Sequence, residues 1–217
     1  MAAAFITFEG IDGSGKSTQL RMLASELTAR GLEVVTTREP GGTPLGASLR
    51  HALLDAEAEV DPLAELLLYA ADRAQHVRTL IRPQLAAGRI VISDRYSDAT
   101  VAYQGAGRGF PVNLINEVVQ LATEGLKPDL TLVFDLDVEE GRLRQTRRTT
   151  NGANKSDRLD METDAFHTRV REAYQEIARR EPERVRVIDA SGSIAETHLR
   201  AVQVVELFLA QRGTQHS

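Results

Sequence analysis

The sequence predicts an α/β protein, a five-stranded parallel sheet with helices on both faces. Short apolar, β-prone runs alternate with longer runs of helical period along the chain. Strands separated by helices pair in parallel through crossovers that cover both faces of the sheet. The first strand-to-helix junction adds a third observation. It reads Gly10-Ile11-Asp12-Gly13-Ser14-Gly15-Lys16-Ser17-Thr18, the G-x-x-x-x-G-K-[ST] spacing of a phosphate-binding loop, which sits between a strand and a helix.

The elements follow in order. Phe5–Glu9 is the first strand, and Leu20, Leu23, Ala24 and Leu27 give Lys16–Ala29 a helical stripe. Val34–Arg38 is the second strand and Ser48–Asp55 the next helix. Asp61-Pro62 is an N-cap followed by a first-turn proline, which opens a helix over Pro62–Ile81. Arg89–Asp94 is a strand and Pro111–Thr123 a helix. Leu130–Asp135 and Val185–Asp189 complete the sheet, with helices over Glu139–Arg148, Ala165–Arg180 and Ile194–Gln211. Ligands of such sheets sit at the carboxyl ends of the strands. Glu9, Arg38, Asp94, Asp135 and Asp189 are therefore expected along one rim.

At 217 residues the chain reads as one domain, 1–217, with an insert at about 142–164. Within the insert, Thr149-Thr150-Asn151-Gly152-Ala153-Asn154 is small and turn-forming. Arg142, Arg144, Arg147 and Arg148 precede it, and Lys155 and Arg158 follow. A flexible tip with a cationic face reads as a helical lid. The net charge of −5 argues against a general nucleic-acid binder. No apolar run approaches the roughly 20 residues that span a bilayer. Cysteine is absent, which excludes disulfides and thiolate metal sites. These features fit a cytoplasmic protein.

The loop predicts a bound nucleoside triphosphate. Its glycines let successive N–H groups turn inward around the phosphates. Lys16 supplies a point cation, Ser17 a hydroxyl for Mg²⁺, and the helix behind adds its N-terminal N–H groups. Arg38 ends the second strand before the tight turn Pro40-Gly41-Gly42, where a guanidinium suits a phosphate monoester. Tyr69 and Arg73, four apart on one helix, share a face that could stack and hold a base. Asp94 could organise Mg²⁺ and Arg95 could clamp a second phosphate. Asp135 is an equally good strand-end acid, and spacing does not choose between it and Asp94.

Taken together, Phe8–Thr18, Arg38-Glu39-Pro40-Gly41-Gly42-Thr43, Ala71–His76, Ser93-Asp94-Arg95-Tyr96, Ala102-Tyr103-Gln104-Gly105 and Asp157-Arg158-Leu159-Asp160 resemble the bacterial thymidylate kinases nearly end to end. The resemblance implies the P-loop NTPase fold with a helical lid, and transfer of the γ-phosphoryl of ATP to dTMP with Mg²⁺. It implies that Asp12 lies between donor and acceptor, and that Arg38 and Arg95 bind the acceptor phosphate. Tyr69 would stack on thymine, where phenylalanine is the commoner residue, and Arg73 would bond a thymine carbonyl. Thr100, Tyr103 and Gln104 would complete the base and sugar pocket, with Tyr103 selecting deoxyribose. Asp94 becomes the Mg²⁺-organising acid by analogy. The loop carries no arginine, so the lid supplies it, with Arg147, Arg148 and Arg158 as candidates. A homodimer is implied as well. The chief rival is a GTPase, because Asn154-Lys155-Ser156-Asp157 spells N-K-x-D. No apolar strand precedes it and Asp94 opens no D-x-x-G switch. A kinase for another small acceptor is the other alternative.

Overall fold

The computed structural model describes residues 3–54, 60–150 and 157–215. Five strands, β1 (Ala4–Glu9), β2 (Val34–Arg38), β3 (Ile90–Asp94), β4 (Leu130–Asp135) and β5 (Val185–Asp189), form one sheet in the order β2-β3-β1-β4-β5. Every pairing is parallel. From β1 the chain passes to the edge strand β2, returns to β3 beside β1, and then crosses to β4 and β5 on the other side, so the switch of direction falls beside β1. That is where an open α/β sheet leaves a crevice for ligands.

Alternation along β1 separates the two faces. Ile6 and Phe8 pack with Leu20, Leu23 and Leu27 of α1 (Lys16–Ala29) and with Ala201 and Val205 of α9 (Ile194–Gln215). Phe5 points to the opposite face, against Val77, Ile81 and Tyr96. A third cluster on that face joins Val133 and Val185 to Phe166, Val170 and Tyr174 of α8 (Asp164–Arg180). No described helix is long and apolar enough to cross a membrane.

The predicted strands are all present, and three helical stretches differ from the sequence expectation. α2 (Pro44–Leu54) starts at Pro44 rather than Ser48. Thr43 Oγ1 accepts the Gly46 N–H at 3.0 Å, so a threonine cap and a first-turn proline start the helix one turn earlier. The helix α3 (Pro62–His76) runs on through a π-helical turn, Val77–Ile81, into α4 (Arg82–Ala86). Pro83 falls in the first turn of the restarted ladder, where its missing N–H costs little. The third stretch has no counterpart in the sequence reading: α5 (Ser97–Thr100) leads into a π-helical segment, Val101–Gly107. Its buried polar residues Asp98, Thr100 and Gln104 interrupt the apolar period that would have marked it. The remaining helices, α6 (Val112–Thr123), α7 (Val138–Thr150), α8 and α9, lie within a few residues of their expected bounds.

Candidate active site

The phosphate loop is held in place by close backbone approach. Gly10 has φ +129°, and a Cβ there would stand 2.5 Å from the Phe134 carbonyl oxygen. Gly13 has φ +84°, and its Cβ would meet the Gly141 carbonyl oxygen of α7 at 2.3 Å. A Cβ on Gly141 would in turn meet the Asp12 carbonyl oxygen at 2.9 Å. Only glycine fits at either side of this contact. Behind the loop, Gly15 precedes α1 in a left-handed conformation and leaves the helix N-terminus open to an anion.

Lys16 is buried, its ammonium donating to the Ile11 carbonyl at 2.9 Å and standing 3.9 Å from Asp12. Burial and the nearby Arg95 lower its pKa, an effect Asp12 and Asp94 oppose. Ser17 Oγ donates to Asp94 Oδ2 at 2.6 Å. Asp135, the other strand-end acid, is instead ion-paired with Arg171 of α8 at 2.7 Å. Ser17 and Asp94 are hard oxygen donors of the kind Mg²⁺ takes, with phosphate oxygens and water completing its octahedron. Among the described residues no cluster of three His, Cys, Asp or Glu side chains forms a cage for a metal. The pair therefore fits a cation delivered with its nucleotide.

Arg95 follows β3 with φ +71°, a conformation that non-glycine residues rarely adopt. Its N–H donates to the Phe8 carbonyl at 2.9 Å. The side chain crosses to the phosphate loop: Nη2 donates to both Asp12 carboxylate oxygens at 2.8 Å, and Nη1 donates to the Gly10 carbonyl at 3.1 Å. The guanidinium lies 4.7 Å from the Tyr103 ring centre, and the Tyr103 hydroxyl donates to Asp12 at 3.2 Å. Burial would raise the Asp12 pKa, but Arg95 and Lys16 outweigh it and hold the carboxyl well below the usual range.

Two cavities meet at this pair. The larger, about 670 Å³, is lined by the phosphate loop, Arg38, Asp94 and Arg95, a size typical of small-ligand clefts. The second is lined by Tyr69, Arg73, Thr100, Tyr103 and Gln104. Asp12 and Arg95 belong to both. Arg73 is fully buried and fixed from three sides. Nε donates to Glu39 at 2.7 Å, Nη1 to Thr100 Oγ1 at 2.7 Å, and Nη2 to the Tyr96 carbonyl at 2.9 Å. Glu39 also holds His76 Nδ1 at 2.8 Å, and His76 Nε2 reaches Thr37 Oγ1 at 2.7 Å.

Other sequence candidates lie elsewhere. Glu9 is buried beneath the rim, accepting from the Tyr96 N–H and the Tyr174 hydroxyl, each at 2.7 Å. Asp189 caps the Ser191 N–H. Arg158 lines neither cavity: it donates to the Leu53 carbonyl and, at 2.5 Å, to the buried Glu65. Arg147 lines a third cavity with Gly13, Gly15, Arg144 and Gly192–Ile194. The Arg148 side chain and Asn154-Lys155-Ser156 lie outside the described residues. Asp157, by contrast, lines both cavities and caps the turn that follows, accepting from the Leu159 N–H at 2.9 Å.

Sequence reasoning missed Arg50 and Glu65. Arg50 lines both cavities and donates to the Pro40 carbonyl at 3.0 Å. The Thr43-Pro44 start signal, read correctly, would have put Arg50 one helical turn beyond Gly46 and facing the Pro-Gly-Gly turn. Glu65 carries no local signal, because its partners come from distant segments.

The family model for thymidylate kinase matches residues 8–201. A "Thymidylate kinase" of Gloeobacter violaceus is 51% identical over 97% of this chain and 98% of its own. One from Exiguobacterium sibiricum is 46% identical over 98% of each. The crystal structure of a thymidylate kinase from Ehrlichia chaffeensis superposes with a TM-score of 0.76 at 37% identity, covering 95% of this chain and 99% of that one.

Proposed function

The chain belongs to the thymidylate kinase family, and we propose that its adjoining cavities divide the two substrates, dTMP beside Tyr69 and Arg73 and the ATP triphosphate on the phosphate loop. It is a nucleoside-monophosphate kinase that moves the γ-phosphoryl of ATP onto dTMP, giving dTDP and ADP on the way to dTTP. The observation that carries the division is the shared wall: Asp12 and Arg95 line both cavities. An acceptor phosphate at that wall faces a donor phosphate held by Lys16.

The acceptor phosphate is itself the nucleophile, so no strong base is required. The obstacle is repulsion between two anions brought into line. Arg38, Arg95 and Lys16 offset it and stabilise the charge that spreads over the transferring group. Ser17 and Asp94 would hold Mg²⁺, which supplies further neutralisation of the donor phosphates. Asp12 keeps Arg95 aimed across the partition. Tyr69 offers a ring for the thymine to stack on, and Arg73 offers a fixed donor for a thymine carbonyl. Tyr103, over the Arg95 guanidinium, lies where the sugar would pass. Of the candidate lid arginines with described side chains, Arg147 and Arg158, Arg147 is the one favoured for the donor side, since it shares a cavity with the loop. The lid itself spans about 142–164. A homodimer is supported by the apolar side chains that α3 and α6 expose, Leu63, Leu67, Val112 and Leu121. Sedimentation at micromolar concentration should return a dimer, and a monomer would refute it.

The test is a product assay with ATP and a panel of nucleoside monophosphates. dTDP as the dominant product is expected. Hydrolysis of GTP without an acceptor would instead favour the switch reading of Asn154-Lys155-Ser156-Asp157. Loss of dTMP saturation in an Arg73 variant, with ATP saturation unchanged, would tie the base cavity to the acceptor.

A further inference from the structure

We propose that Glu65 is a specificity-determining positioning residue, which fixes the Gln104 amide with its carbonyl oxygen toward the acceptor-base cavity. The inference rests on the dTMP reading of that cavity. Glu65 belongs to α3, is fully buried and does not line the cavity itself. Its Oε1 accepts from Gln104 Nε2 at 2.8 Å, and its Oε2 accepts from Arg108 Nη2 at 3.0 Å and Arg158 Nη2 at 2.5 Å. Burial alone would raise its pKa, but the hydrogen bonds from Arg108, Gln104 and Arg158 prevail and hold it below the ordinary carboxylate value.

An ionised carboxylate can only accept. The end of the Gln104 amide that faces Glu65 is therefore the NH₂ group, and Oε1 is turned away from it. Among the described residues no donor reaches that oxygen, and Gln104 lines the base cavity. On the same wall Arg73 has one hydrogen on each terminal nitrogen left over after Thr100 and Tyr96 are served. The cavity thus presents a donor from Arg73 and an acceptor from Gln104. Thymine offers the complement, a C4 carbonyl beside an N3–H. Cytosine offers an amino group beside a bare ring nitrogen and opposes both. A neutral partner at position 65 would let the Gln104 amide turn over; the carboxylate forbids it.

The experiment compares kcat/KM for dTMP and 5-methyl-dCMP, which differ only on that edge, in the wild type and in Glu65→Gln. Glutamine can donate as well as accept, so it frees the Gln104 amide. The preference for dTMP should fall about tenfold in the variant, the equivalent of one lost hydrogen-bond discrimination. A purely structural role would lower Tm and leave the ratio unmoved, which overturns the proposal while the dTMP reading stands. A wild type that does not prefer dTMP overturns that reading itself. Should the variant not fold, the wild type still decides. In ¹⁵N-glutamine-labelled protein without ligand, an NH₂ proton of Gln104 bonded to the carboxylate should exchange slowly, and stay slow with dTMP. Rapid exchange in the free protein would overturn the proposal.

Discussion

Arg95 Nη2 stands 2.8 Å from each carboxylate oxygen of Asp12, and this ion pair is the partition between the two cavities. The arginine is held there by a backbone turn at φ +71° and by the Phe8 carbonyl. Strain of this kind persists where the surroundings over-determine it, and it aims the guanidinium without help from a ligand.

Arg95→Lys keeps the charge and loses the planar fork. Turnover should fall by about 10²–10³, the cost of removing one transition-state donor, with the circular-dichroism spectrum unchanged. Steady-state kinetics with saturating ATP and dTMP check it, and near-normal kcat would remove Arg95 from the chemistry.

Arg73→Ala should do more than weaken dTMP binding. It strands the buried Glu39, whose Oε1 faces His76 and whose Oε2 loses its only described partner. Breaking a buried pair costs about 3–5 kcal/mol. Urea unfolding should show a loss of that order, together with a raised KM for dTMP and a KM for ATP that stays put. A stability equal to wild type would mean that Glu39 finds another partner.

The two strand-end acids should separate cleanly. Asp94→Asn, at the Ser17 hydroxyl, should cost about 10–100-fold in turnover. Asp135→Asn breaks a half-buried pair with Arg171 and should leave kcat close to wild type, with a stability loss of about 1 kcal/mol or less. Equal damage from both would refute the assignment.

The arginines of the proposed lid make a similar contrast. Arg147→Ala should depress kcat by up to about 10³, as arginine-finger losses do in related chemistry. Arg158→Ala should act on dTMP affinity and melting temperature, because its guanidinium is engaged with Glu65 and the Leu53 carbonyl. A large kcat effect at Arg158 alone would reverse the two roles.

Glu9 is pushed up to about 8, chiefly by burial and then by the neighbouring Asp98. Between pH 4.5, its ordinary value, and about 8, the folded protein keeps a proton that the unfolded chain has released. The unfolded state then binds fewer protons, so stability declines as pH rises through this window and levels off above it. Glu9→Gln keeps an acceptor for the Tyr96 N–H and has no charge to bury. Its Tm against pH should be flatter from pH 5 to 8, and a slope equal to wild type would contradict the buried-acid account.

The sheet and the phosphate loop were legible because their signals are local: apolar runs, a glycine spacing, a lysine at a fixed offset. Tyr69 and Arg73 could be paired on one face by helical period alone. The segment from Ser97 to Gly107 was not legible, since its buried side chains are polar and satisfied by distant partners, and a π-helical turn has no 3.6-residue stripe. Arg158 reads in the sequence as a lid cation, and its pairing with Glu65 of α3 has no local signal there. Charge patterns show which residues are cationic; only the fold shows which of them are already neutralised.

The abutment of Gly13 on Gly141 joins the phosphate loop to α7, whose later turns fall within the lid proposed for about 142–164. The two glycines form a single close contact shared by segments remote in sequence. A methyl group on either would push α7 and the loop apart. A lid carried on α7, as proposed, would thus be anchored on the backbone of its own donor site, and neither glycine can take a side chain without displacing the segment opposite.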